Sequence, residues 1–226
     1  MQSKVLFFLV AGVLTVTASS WAGKETEKAM IKLPLVKTRG KMSVEEAISR
    51  RRSQRKFKDK ALSQEHLSQI LWAAQGITNQ YGFRSAPSAG ATFPLTVYVA
   101  VGKVKDIPAG VYRYRPEGHY LEAISDKDIR NKLLTSAFGQ VMIAEAPVDI
   151  IITAEYNRTT RRYRQRGVRY VDMEVGHAGQ NIYLECESLG LGTCAVGAFD
   201  DRAVKELLGI RQDPLYIMPI GFPLLD

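Results

Sequence analysis

The spacing of hydrophobic and polar positions predicts a mixture of helices and strands from Met42 to the end of the chain. Ser43 and Ser63 each mark a helix start followed by apolar residues at helical spacing, and a longer helical pattern spans Tyr170–Leu189. The predicted helices cover residues 43–52, 63–74, 126–138, 170–189 and 200–208; the predicted strands cover residues 94–101, 110–114, 120–124, 148–154, 193–199 and 215–221. One hairpin and no regular alternation of strand and helix indicate the α+β class.

Gly176, Ala178 and Gly179 lie inside the longest helical pattern. Glycine costs helix stability, but it allows another backbone or a bulky side chain to approach closely. The pattern therefore predicts a helix that packs tightly against its neighbours.

The first residues have the pattern of a secretory signal peptide. Lys4 precedes the apolar run Val5–Ala18, and Ser20 and Ala22 occupy the small-residue positions before a cleavage site at Gly23. Cleavage there divides the chain into a signal peptide (1–22), a charged linker or N-terminal arm (23–41) and a domain (42–226). The alternative, a membrane anchor, requires about 20 apolar residues, which is more than this run contains. We therefore expect an exported protein, periplasmic or secreted, without a stable membrane anchor after cleavage.

Composition narrows the class of protein further. The chain has 226 residues, of which 46% are hydrophobic and 24% charged, so it can bury a core and is neither disordered nor a fibrous repeat. Two cysteines, Cys186 and Cys194, are too few for a disulfide framework and are expected as buried thiols. The three histidines, at positions 66, 119 and 177, do not have the spacing of metal ligands, so no metal is expected.

Two segments carry residues suited to binding an anionic, flat ligand. Arg51, Arg52, Ser53 and Arg55 place three guanidinium groups and a hydroxyl within five residues, which suits a phosphate, although a solvated helix end is the alternative. Between two prolines, the small residues of 86–94 predict a rigid loop whose backbone can approach a planar ligand.

Two further segments have a chemical interpretation that remains open. Gly190–Asp200 lacks the order of a dinucleotide-binding fingerprint and is predicted as a strand that ends near a glycine. Asn157–Arg169 contains six arginines around Tyr163 and is predicted as a basic loop, either solvated or bound to an anion. Nucleic acid is disfavoured as a partner because no platform of aromatic residues accompanies the arginines.

Taken together and in this order, the segments resemble the FMN-dependent nitroreductase family, most closely its SagB-type, azoline-dehydrogenase-like branch. The resemblance extends from about Met42 to Phe222. It is carried by R-R-S-x-R, P-S-A-G-A-x-x-P-L, P-A-G-V-Y-R-Y, E-x-G-H-A-x-Q-N-I-Y-L, G-L-G-T and V-G-A-F-D. This resemblance implies the family fold, which is a β-sheet flanked by helices. It also implies an intertwined homodimer with two FMN molecules at the interface.

The resemblance also assigns cofactor-binding residues. The phosphate, ribityl chain or pyrimidine edge of the flavin is expected to contact Arg51, Arg52, Ser53 and Arg55. The partner subunit is expected to contribute Pro87, Ser88, Ala89 and Gly90. Gln140 is expected to contact the flavin through its amide, and Gly197 and Ala198 are expected at its redox-active edge. A cation at the pyrimidine edge stabilises the anionic reduced flavin.

Two departures from the family pattern affect this expectation. No basic residue follows Gly221, so phosphate binding depends on the arginines near position 51. Azoline dehydrogenases use a Lys-Tyr pair for proton transfer, whereas this chain has Arg162 and Tyr163, and an arginine does not act as a base near neutral pH. Tyr163 is the one weak catalytic candidate, as a proton donor.

The expected function is that of an FMN-dependent oxidoreductase that transfers hydride in a ping-pong order to a small organic acceptor. NADPH or NADH is a possible electron donor; in an extracytoplasmic compartment a quinol or a protein donor is an alternative. The rival functions are oxidation of azolines in modified peptides and flavin binding without turnover.

We expect signal cleavage to produce a mature protein that begins at or near Gly23. Mass spectrometry of the extracytoplasmic fraction should detect that N-terminus, because the apolar run and the small residues before position 23 are what the signal peptidase recognises. A full-length protein confined to the cytosol would contradict export.

Overall fold

A seven-stranded antiparallel sheet forms the centre of the molecule, as described for residues 29–224 in a computed structural model. The strands are β1 (Met30–Lys32), β2 (Leu95–Val101), β3 (Gly110–Arg115), β4 (Tyr120–Ser125), β5 (Val148–Ala154), β6 (Gly192–Thr193) and β7 (Asp213–Gly221). Their order across the sheet is β1-β4-β3-β2-β5-β7-β6. Every pair is antiparallel, which confirms the α+β class.

Helices cover both faces of this sheet. They are α1 (Val44–Arg50), α2 (Gln64–Gln75), α3 (Arg130–Ser136), α4 (Met142–Glu145), α5 (Asn157–Tyr163), α6 (Arg166–Ser188) and α7 (Asp201–Leu208). On one face α2 and α6 pack over a core that includes Ile150 and Ile152, and on the other face α3, α4 and α7 pack over a core that includes Ile151. Strand β5 is buried on both sides, which explains its mostly apolar sequence; Asp149 and Thr153 are its two buried polar residues.

Most of the predicted elements are present, and their ends follow local chemistry. The Ser43 hydroxyl accepts a hydrogen bond from the Glu46 amide at the start of α1, and Asp200 accepts one from the Ala203 amide at the start of α7. Ser63 forms a complete capping box with His66 at the start of α2. Both cysteines are buried thiols, as predicted.

The predicted basic loop over Asn157–Arg169 is wrong. This segment forms α5 and the first turn of α6, with a break at Arg164, whose φ is 50°. The buried positions of this helical pair are occupied by small residues such as Thr159 and Gly167, which give no hydrophobic periodicity. A Cβ on Gly167 would lie 2.9 Å from the Thr160 Cα, so the two helices are in close contact.

Three other boundaries differ from the sequence prediction. The strand predicted over 193–199 is reduced to Gly192–Thr193 and an isolated bridge between Val196 and Ile217, because β7 pairs mainly with β5. The helix predicted over 126–138 is shortened to α3 (Arg130–Ser136). The short helix α4 that follows it was not predicted. Part of the predicted linker or arm forms β1 at the sheet edge, and Leu33 after it is buried. The predicted signal peptide (1–22) lies outside the described residues.

Within residues 29–224, no helix combines the length and the apolar composition that crossing a bilayer requires.

The small residues of α6 face two different environments. A Cβ on Gly179 would lie 3.2 Å from the Tyr216 ring of β7, so this glycine fits the helix onto its own sheet. Around Gly176 there is open space within the subunit, and the neighbouring Met173 side chain is 49% exposed. The open face, rather than Gly179, is therefore available for contact with another subunit.

We expect Gly179→Leu to lower the free energy of unfolding by about 1–3 kcal/mol, because the three leucine carbons beyond the Cβ would press on the Tyr216 ring. Denaturant unfolding measures the change. The control, Asn131→Leu, adds a leucine at an exposed position of α3, so it should change the free energy of unfolding by less than about 0.5 kcal/mol. A Gly179→Leu protein as stable as the wild type would contradict the packing described for α6.

Candidate active site

The arginine segment runs beside the chain that follows α6. Helix α1 ends at Arg50, and the extended backbone of Arg51 directs the following residues along β6. The Gln54 amide donates to the Thr193 carbonyl at 2.9 Å, and Ser53 forms a bridge with Thr193. The predicted arginines are thus carried by a segment that runs beside Thr193, four residues before the predicted contacts Gly197 and Ala198.

Tyr183 on α6 joins these two segments. Its hydroxyl accepts a hydrogen bond from the Ala195 amide at 2.7 Å and lies 3.1 Å from the Ser53 hydroxyl. The Arg51 guanidinium stacks over the same ring, with its central carbon 5.1 Å from the centroid. Sequence reasoning did not identify this residue, although it is the tyrosine of the Q-N-I-Y-L motif.

The guanidinium groups of Arg51, Arg52 and Arg55 make no ion pair with a carboxylate in the described part of the chain. Arg52 bonds to carbonyl oxygens of its own helix end, and Arg55 reaches the Ser53 carbonyl only at 3.5 Å. Three unneutralised cations on one segment can bind a phosphate or another anion.

Gln140, Gly197 and Ala198 lie together. The Gln140 amide nitrogen donates to the Ala198 carbonyl at 3.0 Å and to the Ala137 carbonyl at 3.1 Å, so it holds the 197–198 backbone in place. Both of those residues are exposed, and within residues 29–224 their amide N–H groups have no acceptor. We refer to the Arg51–Arg55 segment, together with Gly197 and Ala198, as the arginine strip.

The predicted Pro87–Gly90 loop lies elsewhere on the subunit. Ser88 accepts a hydrogen bond from the Phe93 amide at 2.9 Å, and Gly90 has a φ of 62°, which a glycine adopts without strain. The Arg162 guanidinium donates to the Gly90 carbonyl at 3.2 Å, and a Cβ on Gly90 would lie 2.6 Å from the Tyr163 hydroxyl. The loop therefore lies on α5 rather than on the arginine strip.

The separation of the two groups can be estimated along α6. The loop lies near Glu174 on this helix and the arginine strip lies at Tyr183, nine residues later, which corresponds to about 13 Å of helix. A cavity of about 880 Å³ between the 35–43 arm, α2 and the second half of α6 is lined by none of the predicted site residues. The predicted residues thus form two exposed surfaces of one subunit and no enclosed site.

Glu174, which sequence reasoning also missed, is buried beneath the loop. The side chain is 2% exposed, and neither carboxylate oxygen has a hydrogen-bond partner among the described residues. Burial raises the pKa of this carboxyl to about 7, although Ser88, the Ala89 amide, Arg158 and Arg84 act in the opposite direction. Because this glutamate begins the E-x-G-H motif, the motif itself was the available signal.

No group of three or more His, Cys, Asp or Glu side chains able to hold a metal ion occurs in the described part of the chain.

The raised pKa of Glu174 predicts a specific pH dependence of stability. Between pH 4.5 and 7 the folded protein keeps a proton that the unfolded chain has lost, so the free energy of unfolding falls as the pH rises through this window. The total fall is about 3 kcal/mol.

Glu174→Gln should remove this part of the pH dependence, as measured by urea unfolding from pH 4.5 to 8. Glu145→Gln, on the exposed end of α4, is the matched control and should keep the wild-type profile. An unchanged profile in the Glu174 variant would show that its carboxyl does not titrate in this range.

The fold and these residues match known proteins. The model of the Nitroreductase family matches residues 48–222. A nitroreductase homologue of Methanocaldococcus jannaschii is 48% identical over 180 residues, which are 80% of this chain and 91% of that protein. The crystal structure of a nitroreductase homologue from Ralstonia eutropha superposes with a TM-score of 0.77 at 30% identity and covers 89% of this chain and 92% of that one.

A third relative is a toxin-processing protein. The trifolitoxin-processing protein TfxB of Rhizobium leguminosarum is 29% identical over 136 residues, which are 58% of this chain and 36% of that protein. The family match covers most of the domain and includes both surfaces described above. The chain is an oxidoreductase of the nitroreductase family.

Proposed function

We propose that the protein is an exported FMN-dependent oxidoreductase that acts as a homodimer and transfers hydride to a small organic acceptor. The observation that carries this proposal is the strip of unneutralised guanidinium groups and free backbone amides between Arg51 and Ala198. An exposed set of guanidinium groups without a paired carboxylate, with free backbone amides, suits a ligand that brings its own negative charge and acceptor atoms.

The residues present fit FMN. Arg51, Arg52 and Arg55 would hold the phosphate and the pyrimidine edge, Ser53 would bond the ribityl chain, and the free amide of Gly197 or Ala198 would donate to an acceptor nitrogen. Bound FMN would supply hydride transfer, from a donor such as NADPH or NADH to an acceptor that binds after the donor has left.

The second half of the site would come from the partner subunit. In one subunit the Pro87–Gly90 loop and the arginine strip are about 13 Å apart along α6, too far for both to cover the same ring system. Pairing two subunits through the open face of α6, near Gly176 and Met173, would bring the loop of one subunit towards the strip of the other. The loop is rigid because Ser88, Arg162 and Thr92 all hold it by hydrogen bonds.

Small organic acceptors are favoured over azolines in peptides. Azoline oxidation in the related branch relies on a base next to the tyrosine, and here that position is Arg162, whose guanidinium keeps its proton and bonds the Gly90 carbonyl. Tyr163, beside it, is the proton donor that this surface offers. Turnover with a reductant and an acceptor would separate this function from flavin storage.

We expect Arg55→Ala to weaken FMN binding about ten- to a hundredfold, because the variant loses one charge-assisted contact worth about 1.5–3 kcal/mol. If the same guanidinium lies at the pyrimidine edge, the flavin midpoint potential also falls, since the reduced form carries more negative charge there. FMN titration followed by redox titration measures both quantities.

The control is Arg211→Ala, an exposed arginine in the turn between α7 and β7, which should change neither quantity. Unchanged FMN affinity and midpoint potential in the Arg55 variant would remove this segment from the flavin site.

A further inference from the structure

A face rich in arginine lies on α5 and the start of α6, and the proposed chemistry does not use it. Its members are exposed and repeat at helical spacing on each helix: Arg158, Arg161 and Arg162 on α5, Arg166 and Arg169 on α6, and Arg164 at the break between them. We refer to these six residues as the arginine face.

The arginine face is not neutralised by the protein. Within residues 29–224 none of its six guanidinium groups forms an ion pair with a carboxylate. Of the acidic side chains near it, Asp172 accepts a hydrogen bond from the Tyr156 hydroxyl at 2.6 Å, and Glu174 is buried below the loop. The Arg158 charge acts on the buried Glu174 carboxyl. A concentration of like charge of this kind raises the local concentration of anions at the surface.

Two aromatic rings lie within this charged surface. Tyr163 and Tyr170 pack edge to face with their centroids 5.1 Å apart. The Arg162 guanidinium carbon lies 5.5 Å from the Tyr163 centroid, and that of Arg166 lies 5.7 Å from the Tyr170 centroid. The combination of ring and guanidinium surfaces is suited to a ligand that is both flat and negatively charged.

The arginine face is joined directly to the loop that the proposed function places over the flavin. Arg162 donates to the Gly90 carbonyl, and the Thr159 and Thr92 hydroxyls are 2.7 Å apart. A molecule bound on this face would therefore lie at the entrance to the proposed redox site, and this step of the argument rests on the proposed function.

We propose that the arginine face selects an aromatic acid as the substrate: a planar ring that carries a carboxylate or a phosphate. The guanidinium groups bind the acid, and the tyrosine rings contact the plane of the substrate. A small molecule is favoured over an acidic protein because the two tyrosine rings offer aromatic surface to a flat ligand beside the guanidinium groups.

The test compares three ligands that share the naphthalene ring: the anions 2-naphthoate and 2-naphthyl phosphate, and 2-naphthamide, which is the uncharged and nearly isosteric counterpart of the carboxylate. Calorimetric titration into the purified flavoprotein needs no turnover, and the flavin content is measured on the same samples. The wild type should bind both acids at least tenfold more tightly than the amide, and the preference should decrease as salt is added. If carboxylate and phosphate differ, the tighter of the two identifies the acid group that the face accepts.

Arg161→Gln and Arg166→Gln should each weaken binding of the acids about fivefold, the upper range for an exposed charged contact, and leave binding of the amide unchanged. Arg211→Gln is the control and should alter neither affinity. Equal affinity for acid and amide, or unchanged acid binding in both variants, would overturn the proposal. Binding of poly-glutamate but of neither aromatic acid would likewise overturn it and assign the face to an acidic polypeptide.

The same samples separate the two proposals. A protein that binds flavin and shows no preference for acids would refute only the arginine face as a substrate site. A protein that binds naphthoate and contains no flavin would refute the proposed function.

Discussion

The hydroxyl of Tyr183 holds together the parts of the structure on which the site depends. It accepts the Ala195 amide and contacts the Ser53 hydroxyl, so one side chain of α6 fixes both the segment after β6 and the segment after α1. The same two segments also meet through backbone contacts of Ser53 and Gln54 with Thr193 and through the Gln54 side chain against Gly192. Tyrosine fits this position because its hydroxyl makes these contacts while its ring stacks against the Arg51 guanidinium.

The second constraint is electrostatic. Two surfaces of one subunit, the strip at Arg51–Arg55 and the arginine face on α5 and α6, carry positive charge that the described acidic residues do not neutralise. The strip has free backbone donors next to it, whereas the arginine face has aromatic rings. This difference supports separate roles, with the cofactor bound at the strip and the substrate selected at the face.

The sequence predicts those parts of the fold that local chemistry determines. Serine and aspartate caps locate the starts of α1, α2 and α7, and the β-branched run of β5 identifies a central strand. The α5–α6 junction was mispredicted because its contact is made by Gly167 and Thr159, which carry no hydrophobic signal.

The site was predictable as a set of residues but not as an arrangement. The motifs predicted Arg51–Arg55, Gln140 and Gly197–Ala198; the structure joins Gln140 to Ala198 and the arginine segment to Thr193, and the flavin contacts of these residues stay a prediction. Tyr183 and Glu174 were missed because a polar residue within a helical pattern has no visible role until its neighbours from other elements are known. The Pro87–Gly90 loop lies on α5, apart from the strip, and no local pattern in the sequence specifies that separation.

The claim that one site is built from two subunits is tested most directly by complementation between two defective chains. One chain carries Arg51→Ala and Arg55→Ala; the other carries Gly90→Val, which places a branched side chain at a φ of 62° and against the Tyr163 hydroxyl. Each homodimer should bind little FMN. In the mixed dimer one site receives both intact halves, so purified heterodimer should contain about one FMN per two subunits. A heterodimer that binds no more FMN than the two homodimers would contradict the shared site.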